Sequence, residues 1–220
     1  MPQRAWRNSS AGPSLVGVLK ARVRLTLIAA TLCALAAVAG VLLAERRISN
    51  QPEVELVNGW AGAIRPEGQP VPDFTLTDQD GRRVNARSLR GKPVVFAFVY
   101  STCRDTCPAQ VQTIRNALDK LDDPDASVIG ISVDPVNDNP KRAASFLLKQ
   151  QMTGRMRFLL GTREQLAPVW KAFAVQPQSD RLEHSAHTVL ADARGFQRIG
   201  FPFDHLTSPA LAHDLGRLLG

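Results

Sequence analysis

The sequence has few cysteines, few aromatic residues and no acidic residue in its first 44 positions. Of 220 residues, 3 are cysteines, 6% are aromatic and 21% are charged. That is the composition of a folded protein rather than a disordered one. The chain has no internal repeats, and its length predicts one domain of average size with some additional sequence.

The missing acidic residues explain most of the formal net charge of +7. Residues 1–44 contain five basic residues and no acidic ones, which leaves 22 basic and 20 acidic residues in residues 45–220. A protein that binds the phosphate backbone of nucleic acid concentrates positive charge in its folded part. We therefore expect no nucleic-acid partner.

Residues 25–44 form a run of 20 residues without a charge. A helix of that length spans a hydrocarbon core of about 30 Å, and the more basic N-terminal flank predicts that residues 1–24 are cytoplasmic. The alternative is a cleaved signal peptide, because residues 37–39 match an A-x-A cleavage pattern. The apolar run continues beyond that pattern, which favours a retained transmembrane anchor with Cys33 as an apolar residue inside it. We expect a single-pass protein of a bacterial inner membrane whose soluble domain faces the periplasm.

Export bears on Cys103 and Cys107, because an oxidising compartment lets thiols form disulfides unless they are kept reduced. A pair of cysteines exposed in such a compartment forms a structural disulfide, a redox couple or a metal site.

The pattern of apolar residues predicts an α/β domain over residues 71–220, joined to the anchor by a loosely structured polar tether over residues 45–70. The predicted elements, in chain order, are a hairpin around Asp80-Gly81, a buried strand at 94–100, a helix at 108–121, a second buried strand at 127–133, a helix at 141–151, a short strand at 157–160, a helix from Thr162 to Phe173, a hairpin around 193–195 and a final helix at 208–219. This order predicts a mixed central sheet flanked by helices.

Cys103 and Cys107 lie in the segment TCRDTCP, between the first buried strand and the helix that follows. Four residues apart on a helical turn, they face the same way. A helix N-terminus lowers the pKa of thiols, and the carboxyl end of the sheet is where α/β proteins bind ligands. We therefore expect this cysteine pair to form a functional site.

Two redox motifs are absent from this segment. The spacing is not the C-x-x-C of redox-active thioredoxins. The peroxiredoxin pattern P-x-x-x-T-x-x-C fails at both cysteines, because neither has the required proline or threonine before it. Two soft thiolates on one face instead favour soft metals, Cu(I) above all and Zn(II) next.

A third metal ligand would come from elsewhere in the chain, and histidine is the expected type. His184 precedes a late predicted strand and is free to reach the cysteine loop, whereas His187 stands at the edge of that strand. His205 and His213 lie in a loop and on the last helix, and we assign them no role. On the residues alone, each histidine is more readily a surface or capping residue than a ligand.

Three motifs together resemble the Sco/SenC family of copper proteins. They are Cys-x-x-x-Cys-Pro after a buried strand, Ser132-Val133-Asp134-Pro135 at the end of the next strand, and His184-Ser185 before a strand that ends in Leu-x-Asp. The resemblance extends from about Val71 to Leu219. It implies a thioredoxin-like fold on one transmembrane anchor, and delivery of copper to the CuA site of cytochrome c oxidase.

The same resemblance implies that the copper ligands are Cys103, Cys107 and His184, with His187 the less favoured histidine. It also matches Asp134 to an acidic residue near the site, although that aspartate is equally well a turn residue before Pro135. The expected cargo is copper, as Cu(I) or Cu(II). The expected partners are the copper-bearing subunit of the oxidase or another copper chaperone.

The mechanism implied is ligand exchange at Cu(I), and a Cys103–Cys107 disulfide would release the metal. The main rival function is that of a thiol-disulfide reductase that keeps the copper-binding cysteines of the acceptor reduced, which needs both cysteines but not His184. The cysteine pair is also compatible with a copper or redox sensor and with a structural disulfide. Arg104 and Asp105 are candidates for contact with a partner.

Overall fold

The computed structural model describes residues 26–40, 54, 56–178 and 186–220, within two compact units, Met1–Glu53 and Val54–Gly220. Helix α1 covers residues 26–40 of the first unit. A search of the described residues finds no helix with the length and apolar character needed to cross a membrane. The two ends of the expected anchor, the expected cytoplasmic segment and the first part of the expected tether lie outside the described residues.

The described residues of the second unit form eight strands and four α-helices. The strands are β1 (Ala63–Ile64), β2 (Thr75–Thr77), β3 (Arg83–Asn85), β4 (Val94–Val99), β5 (Ser127–Ser132), β6 (Met156–Leu159), β7 (His187–Ala191) and β8 (Gln197–Pro202). The helices are α2 (Thr106–Lys120), α3 (Pro140–Lys149), α4 (Arg163–Phe173) and α5 (Ser208–Leu219), with short 3-10 turns at Ala86–Leu89 and Phe203–His205.

Six strands form one mixed sheet in the order β1-β8-β7-β4-β5-β6, and β2 and β3 form a separate hairpin. Strands β4, β5 and β6 are parallel, whereas β7 runs antiparallel to β4 and to β8, and β1 is antiparallel to β8. The expected mixed sheet flanked by helices is confirmed. Within residues 71–220, each predicted helix begins and ends within two residues of an observed one.

Every residue of β4 is buried, because helices cover both faces of the sheet. Val95 and Val99 pack in a core with residues of α2, α3 and α5. Phe96 and Phe98 point to the other face and pack with α4 and the β2-β3 hairpin. The run of apolar residues in this strand is therefore explained, and its carboxyl end is held rigidly in the middle of the sheet.

Side-chain caps fix where the helices begin. The Thr162 hydroxyl accepts a hydrogen bond from the Gln165 backbone N–H, and the Gln165 side chain accepts one from the Thr162 N–H, so α4 starts with a capping box. Asn139 caps α3 through its side chain, with Pro140 at the first helical position. These are local signals, which is why the helix starts could be predicted.

The structure differs from the expected loose tether over residues 57–70, which form part of the compact unit. The Asp214 carboxylate on α5, fully buried, accepts hydrogen bonds from the backbone N–H groups of Ala61 and Gly62, at 2.9 Å each. Strand β1 follows and pairs with β8. A Cβ at Gly62 would lie 2.4 Å from Ile199 Cγ2, so this glycine permits a close approach to the sheet. The domain thus begins before residue 71.

Candidate metal centre

The two cysteines lie where β4 passes into α2. The Cys103 backbone N–H donates to the Tyr100 carbonyl oxygen at 3.3 Å, which closes the turn after the strand. Cys107 is in the first turn of α2, and its backbone N–H donates to Cys103 Sγ at 3.2 Å. The Cys103 sulfur therefore lies at the N-terminus of α2, where free amide groups and the helix dipole stabilise a negative charge.

The environments of the two thiols are different. Cys103 is half-buried, whereas Cys107 is fully buried, and neither is in a disulfide. A hydrogen bond from the Cys107 thiol, helped by the Cys107 backbone N–H, lowers the pKa of Cys103 to about 5 against the opposing effect of burial. The same hydrogen bond, together with burial, raises the pKa of Cys107. The expectation that the helix terminus lowers both pKa values is therefore wrong for Cys107, because a single proton shared at close range stays on the buried sulfur.

A partly buried carboxylate that sequence analysis missed holds the loop before the cysteines. Asp138 accepts hydrogen bonds from the Ser101 backbone N–H at 2.7 Å, from the Ser101 hydroxyl, and from the Ser132 hydroxyl at 2.6 Å. Ser101 stands just before the cysteine segment and Ser132 ends β5, so Asp138 joins the carboxyl ends of two neighbouring strands. Burial raises the pKa of Asp138. The sequence has a serine at the carboxyl end of each of the two buried strands, but it does not indicate which residue accepts the hydrogen bonds of these serines.

Asp134 stabilises the turn after β5, which was one of its two expected roles. Its carboxylate accepts hydrogen bonds from the backbone N–H of Asn137 at 3.3 Å and from the Asn137 side-chain amide at 2.8 Å. Its carbonyl oxygen accepts from the N–H groups of Asn137 and Asp138. Asp134 is thus the residue that shapes the turn carrying Asp138 to Ser101.

His184 lies outside the described residues, so its role as a ligand stays a prediction. The described chain on either side of it reaches the edge of the sheet that carries the cysteines. The Gln178 N–H donates to the carbonyl oxygen of Val133, just beyond the carboxyl end of β5, at 3.0 Å. Strand β7 begins at His187 and runs antiparallel to β4, so its first residue lies at the carboxyl end of β4.

The structure does not bring His187 to the cysteines. Its neighbour Thr188 is buried beneath α2, where it accepts a hydrogen bond from the Gln110 side chain at 2.9 Å. Because side chains alternate across a strand, His187 points to the opposite face of the sheet. Burial and the charge of Arg65 lower the pKa of His187. Among the described residues, no group of three histidine, cysteine or acidic side chains is close enough to hold a metal ion.

The other two histidines lie next to the carboxylates of their neighbours in sequence. His213 Nδ1 on α5 lies 2.8 Å from the Asp214 carboxylate, and His205 Nε2 lies 3.6 Å from the Asp204 carboxylate.

A model of the SCO1/SenC family matches residues 63–220. The chain belongs to this family. The match begins at β1, inside the compact unit and before residue 71. The fold and the family expected from the cysteine, Val-Asp-Pro and histidine motifs are confirmed.

Relatives and solved structures agree with this assignment. The chain is similar to the SCO1 protein homolog of Bacillus subtilis (strain 168), with 28% identity over 160 residues that cover 65% of this chain and 82% of the relative. It is 26% identical over 145 residues to the human mitochondrial SCO1 homolog, covering 63% of this chain and 47% of the human protein. The structure of Bradyrhizobium japonicum ScoI with copper bound is 30% identical, with a TM-score of 0.55, and covers 68% of this chain and 99% of that one.

Proposed function

We propose that this SCO1/SenC protein binds copper as its cargo through Cys103, Cys107 and His184 and delivers it to the CuA site of cytochrome c oxidase during assembly. One observation carries the proposal: the two cysteines lie in contact at the carboxyl end of the central strand, where the Cys107 backbone N–H donates to Cys103 Sγ at 3.2 Å and the pKa of Cys103 is lowered to about 5. The copper held by the related ScoI of Bradyrhizobium japonicum supports it. We also propose that residues 25–44 anchor the chain in a bacterial inner membrane, with the domain in the periplasm.

The donor set suits Cu(I). Thiolate and imidazole are ligands that this soft ion prefers. Cys103 already carries the negative charge, and the proton on Cys107 leaves when the metal binds. Of the two sulfurs, Cys103 is the more accessible, so an incoming ligand meets it first. A three-coordinate site leaves one position for that ligand, which lets copper pass between proteins without being released.

An anaerobic Cu(I) titration of the reduced full chain in detergent micelles, against a competing chelator, tests the ligand set. We expect one tightly bound copper, about one proton released per copper at neutral pH, and much weaker binding in His184→Ala. His205→Ala is the matched control, because that histidine is exposed and contacts Asp204. Equal binding by the His184→Ala and control variants would remove His184 from the ligand set.

A second candidate function is thiol-disulfide exchange, which the low pKa and the accessibility of Cys103 favour. The Cys103 thiolate would attack a disulfide in the acceptor and release one acceptor thiolate, which takes up a proton. Cys107, on losing its proton, would then attack the mixed disulfide and release the second acceptor thiolate, which takes up that proton. The resulting Cys103–Cys107 disulfide would be reduced back to two thiols by a thiol reductant, which is itself oxidised to a disulfide.

The two functions differ in their need for His184. We expect the rate of reduction of a model peptide disulfide to be unchanged in His184→Ala if exchange is the function. Copper delivery to the apo copper domain of the oxidase would fall in that variant if the chaperone function is correct.

A further inference from the structure

A groove with a volume of about 460 Å³ opens beside Cys103, between the start of α2 and the length of α3. Cys103 and its loop form one end, and the buried ring of Phe146 on α3 lies at its floor. Among its described lining residues, Arg104, Arg142 and Lys149 are cationic, none carries a carboxylate, and the Cys103 thiol, with its lowered pKa, is the anionic group. All three cations are exposed.

The cations extend along the groove rather than meeting at one point. Arg142 and Lys149 are seven residues apart on α3, which separates them by about 10 Å along the helix axis. Arg104 continues the row into the cysteine loop. An extended chain rises about 3.3 Å per residue, so the groove accommodates a segment of about three or four residues.

The nearby carboxylates do not neutralise this row. Asp138 is engaged by Ser101 and Ser132 beneath the loop. Asp119 and Asp123 form ion pairs with Arg155. Asp105, the neighbour of Arg104 in sequence, is exposed but does not line the groove. The three cations therefore outnumber the Cys103 thiolate among the described lining residues, and the groove is positive along α3.

We propose that this groove docks an acidic, extended segment of the protein that exchanges copper with this chain. The proposal rests on the proposed function, because the exchange requires a partner ligand to reach Cys103. Complementary charge on the partner would steer the encounter and fix its orientation. The concave shape favours a peptide segment over an anionic membrane surface, which would contact the exposed cations without entering the groove.

The test uses the double variant Arg142→Glu/Lys149→Glu in the full chain, in detergent micelles. The matched control is Arg163→Glu/Lys171→Glu, which makes the same change of charge with exposed residues of α4, on the other face of the sheet. Because Arg142 also donates to the Asn137 carbonyl oxygen, the single variant Lys149→Glu keeps the test valid if the double variant does not fold.

Two readouts separate failure of the docking proposal from failure of the copper proposal. The first is binding of a labelled decapeptide of alternating Glu and Gly, with a Gln-Gly peptide as its neutral counterpart. The second is the rate of Cu(I) transfer to the apo copper domain of the oxidase from the same organism. We expect the groove variant to lose about tenfold in both at low salt, within the range of electrostatic steering, and the difference to vanish at high salt.

Loss of peptide binding in the groove variant alone supports the docking proposal even if the chain binds no copper. Equal loss in both double variants would overturn it, because the effect would then come from overall charge. It would also be overturned if the groove variant kept peptide binding and copper transfer but lost binding to vesicles containing anionic phospholipid. That result would assign the cations to the membrane surface.

Discussion

Removing the carboxylate of Asp138 should loosen the loop that carries the cysteines. In Asp138→Ala, three groups lose their acceptor: the Ser101 N–H, the Ser101 hydroxyl and the Ser132 hydroxyl. The N–H is fixed by the backbone after β4 and cannot turn to another partner. The two hydroxyls rotate freely, and the Ser101 hydroxyl is close enough to the surface to bind water.

The size of the effect follows from these three donors. An unsatisfied buried polar group costs about 1–3 kcal/mol. With the full cost for the Ser101 N–H and a partial cost for the two hydroxyls, we expect Asp138→Ala to lower the free energy of unfolding by about 2–4 kcal/mol. Asp138→Asn keeps an oxygen for the N–H and gains an amide that donates to a hydroxyl, so we expect a loss of about 1 kcal/mol.

Urea unfolding of the reduced chain, followed by tryptophan fluorescence, measures both values. Trp170 is a suitable reporter, because its ring N–H donates to the Ser132 carbonyl oxygen at 2.9 Å. Asp80→Ala is the control, since this exposed carboxylate pairs with exposed Arg82 and its removal should change stability by less than about 0.5 kcal/mol. The reasoning is refuted if Asp138→Ala is as stable as the control, or if the asparagine variant is as unstable as the alanine variant.

Three further predictions concern the cysteine pair and the N-terminal part of the domain. The lowered pKa of Cys103 means that its thiolate predominates above about pH 5, so the rate of alkylation by iodoacetamide should reach half its maximum near that pH. Asp214→Ala leaves the N–H groups of Ala61 and Gly62 without their acceptor, and should speed their hydrogen exchange and lower stability by about 2–4 kcal/mol. Gly62→Ala places a Cβ 2.4 Å from Ile199 Cγ2 and should lower the melting temperature, with a cost of about 1–3 kcal/mol.

Each of these has a control and a contrary result. Cys107→Ala removes the thiol that donates to Cys103 and should move the alkylation midpoint towards the ordinary thiol range, whereas a wild-type midpoint above pH 8 contradicts the lowered pKa. Asp204→Ala, at an exposed carboxylate, should leave hydrogen exchange at the β1 end unchanged. Gly216→Ala has its nearest neighbour at 3.7 Å and should be tolerated. If Gly216→Ala destabilised the chain as much as Gly62→Ala, close packing around residue 62 would not be the cause of the lower melting temperature.

The elements that could be predicted are those whose signals are local. The buried strand β4 shows as an unbroken apolar run, β5 shows as a run rich in valine and isoleucine, and the start of α4 shows as a threonine cap. The segment before residue 71 was misjudged because its partners, Asp214 and β8, are about 140 to 150 residues further along the chain. Its prolines and glycines look like a flexible linker when those partners are not known.

The site shows the same division between local and distant signals. The spacing of Cys103 and Cys107 and their place before a helix were enough to predict that they face the same way. The role of Asp138 depends on contact with Ser101, 37 residues earlier in the chain, and no sequence pattern predicts that contact. Unequal burial of the two cysteines likewise depends on the packing of α2 against the sheet, so the pKa of Cys107 could not be read from helix position alone.

The buried Cys107 imposes the same requirement on both candidate functions. Copper binding by two thiolates and attack on a mixed disulfide at Cys103 each require the Cys107 proton to leave, against a raised pKa. The group that reacts at Cys103 must therefore drive the loss of the Cys107 proton. A metal ion would do so through its positive charge. A mixed disulfide would do so by consuming the Cys103 thiolate, which is the acceptor of the Cys107 hydrogen bond. We expect substitution of either cysteine to abolish both proposed activities, so such a variant cannot separate them. The discrimination rests on His184, which the proposed copper site needs and disulfide exchange does not.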